Sequence, residues 1–417
     1  VTVPTLPPSP PPPAAPPHRL IGLAALMRQN VAGQVMAPLA QALIEQASAD
    51  PTNACALLDA SVILQFYGNQ PLARQLQDEA LKIQRHYRQP SSQHARLRLL
   101  VLMAPGSLEV NVPLECVLEH SDIALHQYYL THPDDDLALL PEHDVLFVAI
   151  CETEANRPLL QKLATTLANW PRPVLNRPQH IPRVARNTAS ALLATLPGVC
   201  MPPNLRLPRA QVQTLAQADG ATQAQALGLA FPLLVRPLDT HAGNGLHKVD
   251  TPAALAEVLD TLPDAELFVA PFVDYRSADG QFRKYRVMLI GGQPYVAHGA
   301  ISSHWMIHYV NAGMDDNAAK RAEEADFMAS FDTGFAQRHA AAFAAMQQAL
   351  ELDYWGMDCA EMPDGRLLVF EVDTAMVVHA MDPVERYPYK QAIMQRLFQA
   401  FRAFVFQQAG IATEATP

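Results

Sequence analysis

The stretch from Trp355 to Asp373 constrains this chain more than any other, because it sets three acids among apolar residues in a β-hairpin pattern. The alternation predicts strands over 355–361 and 366–373, joined across Pro363-Asp364-Gly365. A two-residue turn at Asp364-Gly365 would set Asp358 directly opposite Glu371. Strand side chains alternate between faces, so Glu371 and Asp373 then share the face of Asp358. Like charges facing one another destabilise a sheet unless a cation sits between them. Hard oxygen ligands without His or Cys suit Mg²⁺, which commonly bridges a few carboxylates to nucleotide phosphates. A solvated strand edge is the other reading, but Met357, Leu368, Val369, Phe370 and Val372 flank the acids. Asp358, Glu371 and Asp373 are therefore the expected metal ligands.

Two basic features precede this hairpin. Arg236 ends an apolar strand pattern and is followed by Pro237 and by Thr240-His241-Ala242-Gly243-Asn244-Gly245. Glycines let backbone N–H groups turn toward phosphate oxygens, and a nearby cation neutralises them. The spacing is not that of a P-loop, and taken alone the loop reads as a plain turn. Arg283-Lys284-Tyr285-Arg286 leads into a hairpin over 285–290 and 295–301, turned at Gly291-Gly292. The period of two puts Lys284 and Arg286 on one side, as phosphate clamping requires, although a salt-bridged surface would look the same.

The chain of 417 residues is long enough for two or three cores, and its 30 basic against 41 acidic residues give a net charge of −11. An acidic balance argues against nonspecific nucleic-acid binding, so an anionic ligand must be held by a local cluster. The five cysteines, Cys55, Cys116, Cys151, Cys200 and Cys359, are scattered and form no C-x-x-C pair, which fits a reducing compartment. Neither a membrane-spanning run nor a signal-peptide layout is legible, so the expected location is the cytoplasm.

Residues 1–17 contain nine prolines and read as a disordered or polyproline II tail. Helical periodicity runs over 18–92, with Gly68-Asn69 as a turn and small Ala73 and Ala80 where helices approach. That spacing resembles a tetratricopeptide repeat, which would dock a protein or peptide; a helical cap on the next domain is the alternative. Apolar strand patterns at 97–103, 144–150 and 173–176, with helical stretches between or after them, predict a small parallel α/β domain over 95–203. Residues 204–410 change to hairpins and helices, so the expected class is α/β, with an α+β C-terminal domain.

In this order, the pieces resemble the ATP-grasp superfamily, especially its RimK and glutathione synthetase-like carboxylate–amine ligases. WGMDCAEMPDGRLLVFEVDT is similar to the family's G-x-D…dG…E-V-N signature, with Asp373 where Asn is usual. FPLLVRP looks like the strand ending in the phosphate-contacting Lys-Pro, with Arg236 replacing the lysine. Thr240, Gly243 and Gly245 would then belong to the loop that closes over the phosphates. ELFVAPFVD is similar to the hinge strand, implying adenine contacts around Ala270, Phe272 and Val273 and a ribose contact at Asp274. RKYRVMLIGG looks like the D-x-R-V motif. It implies that Arg286 stabilises the transferring phosphoryl group, with Lys284 in place of the usual Asp. Arg186 stands for the phosphate-facing lysine of the preceding domain. The substrate-side arginine is not evident; His304, Trp305 and His308 occupy that stretch instead.

The resemblance implies ATP and Mg²⁺ as cofactors, and an ADP-forming ligase that makes an amide through an acyl-phosphate. Its acid and amine would be small molecules or peptides, with a possible protein or peptide partner at 18–92. A phosphotransferase on the same scaffold and a non-catalytic nucleotide-binding adaptor are the alternatives.

Overall fold

The computed structural model describes residues 18–89, 94–240 and 243–413; the proline-rich segment 1–17 and His241-Ala242 of the glycine loop lie outside the described residues. Four helices come first: α1 (Leu23–Val31), α2 (Ala37–Ala49), α3 (Ala54–Phe66) and α4 (Gln70–Ile83). Asn53 and Asn69 cap α3 and α4 by accepting the Ala56 and Leu72 N–H groups. α1 has no cap of its own; the buried Asp59 of α3 accepts the Ile21 and Gly22 N–H groups at 2.6 and 3.1 Å. Leu26, Leu43, Ile63 and Leu81 share one core with Leu99, Phe147 and Phe401. The helices thus cover the following domain as a cap, and the tetratricopeptide likeness finds no support.

Strands β1 (His86–Arg88), β2 (Leu97–Met103), β3 (Ile123–Tyr129), β4 (Val145–Val148) and β5 (Val174–Leu175) form a sheet in the order β1-β3-β2-β4-β5. β2, β3, β4 and β5 are parallel and β1 is an antiparallel edge. β4, and β2 from Leu99 onward, are continuous apolar runs because helices cover both faces of such a sheet.

After β6 (Val199–Cys200), strands β7 (Leu205–Pro208), β8 (Leu233–Pro237), β9 (His247–Val249) and β10 (Glu266–Pro271) build a small antiparallel sheet ordered β7-β10-β8-β9. Leu233, Val235, Val269 and the helix residues Val212 and Leu255 form its own core. The third sheet joins β6 to β11 (Phe282–Ile290), β12 (Gln293–Ser302), β13 (Tyr354–Glu361) and β14 (Leu367–Asp373), in the order β12-β11-β13-β14-β6. The chain is therefore α/β in its first sheet and α+β beyond it.

The β11–β12 hairpin turns in two residues, with Gly291 and Gly292 at φ 55° and 81°, a conformation that glycine adopts without strain. The β13–β14 hairpin differs from expectation. Met362 pairs with Arg366 across three residues, Pro363, Asp364 and Gly365, rather than across a two-residue turn. A bulge at Phe370 then adds one residue to β14 between the pairs Cys359↔Val369 and Asp358↔Glu371. The two departures cancel, so Asp358 still faces Glu371. Among the described residues no helix is long and apolar enough to cross a membrane.

Candidate functional site

Strand register assembles a row of polar side chains across the third sheet. Arg286 of β11 pairs with Asp358 of β13, and Asp358 with Glu371 of β14. Residues directly opposite share a face, so these groups meet on one surface. Lys284, two residues before Arg286, joins them. Its Nζ lies 2.8 Å from Asp358 Oδ2, while Arg286 Nε and Nη2 donate to the two Asp358 oxygens at 2.8 and 3.1 Å. Asp358 is 1% exposed. Burial pushes its carboxyl up, but Arg286 and Lys284 outweigh that and hold it well below the usual carboxylate range.

Glu371 Oε2 accepts from Arg186 Nη2 at 2.5 Å. Burial pushes Glu371 up as well, and Asp358 adds to that, but Arg186, Lys284 and Arg236 together outweigh both, so this carboxyl is also lowered. The Asp373 carboxylate accepts the Ala375 N–H at 3.0 Å. The expected convergence of three acids on one point does not appear. Among the described residues no group of three or more His, Cys, Asp or Glu side chains is gathered as a metal cluster. The physical reason is that Lys284, Arg286 and Arg186 reach the first two acids and supply the opposite charge themselves. Asp358 and Glu371 nevertheless offer hard oxygens side by side, a donor set that fits a Mg²⁺ carried in with phosphates and held by one or two carboxylates.

A cavity of 810 Å³ lies over this row, between the small antiparallel sheet and the third sheet. Arg186, Arg236, Lys284, Arg286, Asp358, Glu371 and Asp373 line it. Ala270, Phe272 and Val273 border it from β10 and the segment that follows, and Gly243 from the glycine loop. The other proposed contacts stand elsewhere. Gly245 faces the Pro237 ring, where an added Cβ would come within 2.8 Å. Asp274 is taken by Arg276, and Thr240 by Arg236. Arg236 donates from Nε to Thr240 Oγ1 at 3.1 Å and from Nη2 to the Thr240 carbonyl, so it anchors the start of the loop. Burial, then the neighbouring Arg186, pushes Arg236 down to about 9, which leaves it charged at neutral pH.

The cavity also takes in residues that sequence reasoning did not single out. Beyond Arg286 it is bordered by His298, Tyr309, Asp315, Asp382 and Lys390. Lys390 is buried, with its Nζ 2.5 Å from Tyr309 Oη and 3.4 Å from Asp382 Oδ2. Val31, at the end of α1, reaches the same cavity, so the N-terminal cap contributes to its wall. Trp305 packs edge-on against Phe272 at 5.5 Å, and His308 lines the cavity close by.

No family model and no curated protein matches the chain. Among solved structures, D-alanine–D-alanine ligase from Bacillus anthracis complexed with ATP is similar at 15% identity and a TM-score of 0.46, over 76% of this chain and 100% of that one. The ATP-grasp ligase PsnB, complexed with a minimal precursor, Mg and ADP, is similar at 16% identity and a TM-score of 0.42, over 73% of this chain and 96% of that one. A RimK domain ATP-grasp protein from Sphaerobacter thermophilus is similar at 15% identity and a TM-score of 0.38, over 73% and 99%. At such distances no residue role transfers from them, and the function must be argued from the cavity itself.

Proposed function

We propose that this chain is an ATP-dependent carboxylate–amine ligase of the ATP-grasp type, working through an acyl-phosphate and releasing ADP. One observation carries the reading: four cations, Arg186, Arg236, Lys284 and Arg286, surround an adjacent pair of carboxylates in one cavity. That arrangement suits a triphosphate. The cations attract its phosphates, and the carboxylates supply oxygens for the metal that accompanies them.

In this reading the backbone at Ala270–Val273 and the ring of Phe272 receive the base, and the loop at Gly243 closes over the phosphates. Asp358 and Glu371 would hold Mg²⁺, with Asp373 beside them. The bound ion would screen phosphate charge and polarise the transferring group. Arg286 and Lys284 exchange part of their contact with Asp358 for phosphate oxygens, and Arg236 and Arg186 stabilise charge that spreads as the γ-phosphoryl group moves. The cavity beyond Arg286 has room for a small-molecule or peptide acid and amine, and holding both there raises their effective concentration. The departure of this site from three bare acids is consistent with cations doing part of the charge compensation that metal supplies elsewhere.

ADP release by the purified chain, with ATP, Mg²⁺ and mixtures of amino acids and short peptides, tests the proposal. ADP release that requires both a carboxylate and an amine supports a ligase. Transfer to an acceptor without amide formation would point to a phosphotransferase, and ATP binding without turnover to an adaptor.

A further inference from the structure

His298 extends the polar row by one more strand. It lies on β12 opposite Arg286, so His298, Arg286, Asp358 and Glu371 stand in register across four neighbouring strands. Its ring borders the cavity and is tilted against Tyr309 at 4.8 Å between centroids. Among the described residues, neither ring nitrogen has a hydrogen-bond partner, and Nδ1 is buried. An unsatisfied buried nitrogen is costly to retain, and native structures seldom carry one without a reason. Of the other cavity histidines, His379 is engaged through Nδ1, which accepts the Met381 N–H at 3.2 Å, while His308 starts the short helix Tyr309–Asn311 and donates its backbone N–H to Asn311 Oδ1 at 2.9 Å. The remaining polar groups at this end are tied together: Tyr309 Oη bonds Lys390 and Glu324.

We infer that His298 is the proton acceptor for the attacking amine, an assignment that rests on the ligase reading above. An amine arrives as R–NH₃⁺ and cannot attack until one proton leaves. The imidazole takes that proton. The nitrogen lone pair then forms the C–N bond at the acyl carbon while the C–O bond to phosphate breaks. A second proton from nitrogen leaves with the phosphate as HPO₄²⁻, and the imidazolium returns its own to solvent.

The surroundings make this acceptor conditional. Burial holds His298 well below the usual histidine range, and Arg286 adds to that, with Lys390 and Lys284 also acting against the imidazolium and Asp358 favouring it. Arg286 and Lys284 face it from β11, Asp358 from β13, Tyr309 from the short helix after β12 and Lys390 from the C-terminal helix. Glu324, on the helix Ala318–Ser330, bonds the Gly299 N–H next to it. A bound triphosphate brings negative charge against Arg286 and Lys284 and offsets their effect. His298 therefore becomes a useful base only in the loaded site, when there is an acyl-phosphate to attack.

The test uses the full chain with ¹⁵N-labelled histidine, and His298→Asn to assign the resonance. Titration is followed with and without a non-hydrolysable ATP analogue and Mg²⁺. The inference expects the His298 pKa to rise by about one unit or more when the analogue binds. A bound analogue with an unmoved His298 overturns the inference and leaves the nucleotide reading standing; no binding of the analogue overturns both. In turnover with a mixture of the standard amino acids, His298→Asn should slow amide formation by about 10²–10⁴-fold. It should spare hydroxamate formation from hydroxylamine, a nucleophile already neutral at pH 7. An equal loss of both products would mark a structural role and overturn the assignment.

Discussion

Lys284 Nζ lies 2.8 Å from Asp358 Oδ2, so the most buried acid of the cavity is matched by a cation from the neighbouring strand. Arg286 grips the same carboxylate through two nitrogens. The pairing explains how a sheet tolerates Asp358 and Glu371 face to face, because each acid has an opposite charge in contact.

Replacing Lys284 by Met should weaken both fold and ligand binding. One charged hydrogen bond to Asp358 is lost, at a cost of about 1.5–3 kcal/mol, read as a lower denaturant midpoint. Affinity for an ATP analogue, measured by calorimetry, should fall about tenfold or more. The pH dependence follows from Asp358, whose folded pKa lies below its unfolded value. Its contribution is present above the unfolded pKa and disappears as pH falls toward the folded one. The variant should therefore lose less stability than the wild type on acidification below about pH 4.

Glu371→Gln should reduce ADP release by about 100-fold or more, since it removes a charge that acts on the phosphates through metal and through Arg186. Circular dichroism should show the fold retained. Full turnover in this variant would contradict the role given to the β13–β14 pair.

Gly291→Ala should destabilise the chain by about 1–3 kcal/mol without touching the cavity. The backbone there has φ 55°, and an added Cβ would come within 2.7 Å of the Phe404 ring. Thermal unfolding measures the loss, and unchanged nucleotide affinity separates it from a site effect.

Asp59→Asn should change how stability depends on pH. Burial pushes the Asp59 carboxyl up to about 6, well above the usual value for an aspartate in water, although it accepts two backbone N–H groups. Between these values the folded chain holds the proton more tightly than the unfolded one. Stability from this group is complete below the unfolded pKa and is lost as pH rises through the folded one, by up to about 3 kcal/mol. Denaturation of both proteins at pH 4 and pH 7 should show that component only in the wild type.

The alternation of Asp358, Glu371 and Asp373 with apolar residues made the row legible in the sequence, since a period of two fixes the face. The bulge at Phe370 was not legible, because it sits in the apolar run Leu367-Leu368-Val369-Phe370, where one extra residue leaves no mark. β2, β4 and β5 stood out as apolar runs. β1 and β3 did not: β1 is three residues long, and β3 carries His126 and Gln127 in its middle. Lys284 and Arg286 were readable as sharing a side, but not as partners of Asp358, which lies more than seventy positions away. His298, Tyr309 and Lys390 were missed for the same reason, as their neighbourhood exists only once β12 and the C-terminal helix pack. Arg236 was read as a phosphate contact; its bonds to Thr240 give it a second task in holding the loop.

A crystal structure of the chain with a non-hydrolysable ATP analogue and Mg²⁺ tests the central claim most directly. The account predicts the base beside Ala270–Val273, the phosphates among Arg186, Arg236, Lys284 and Arg286, and the metal on Asp358 and Glu371. A nucleotide bound elsewhere, or this cavity empty at saturating analogue, would contradict it.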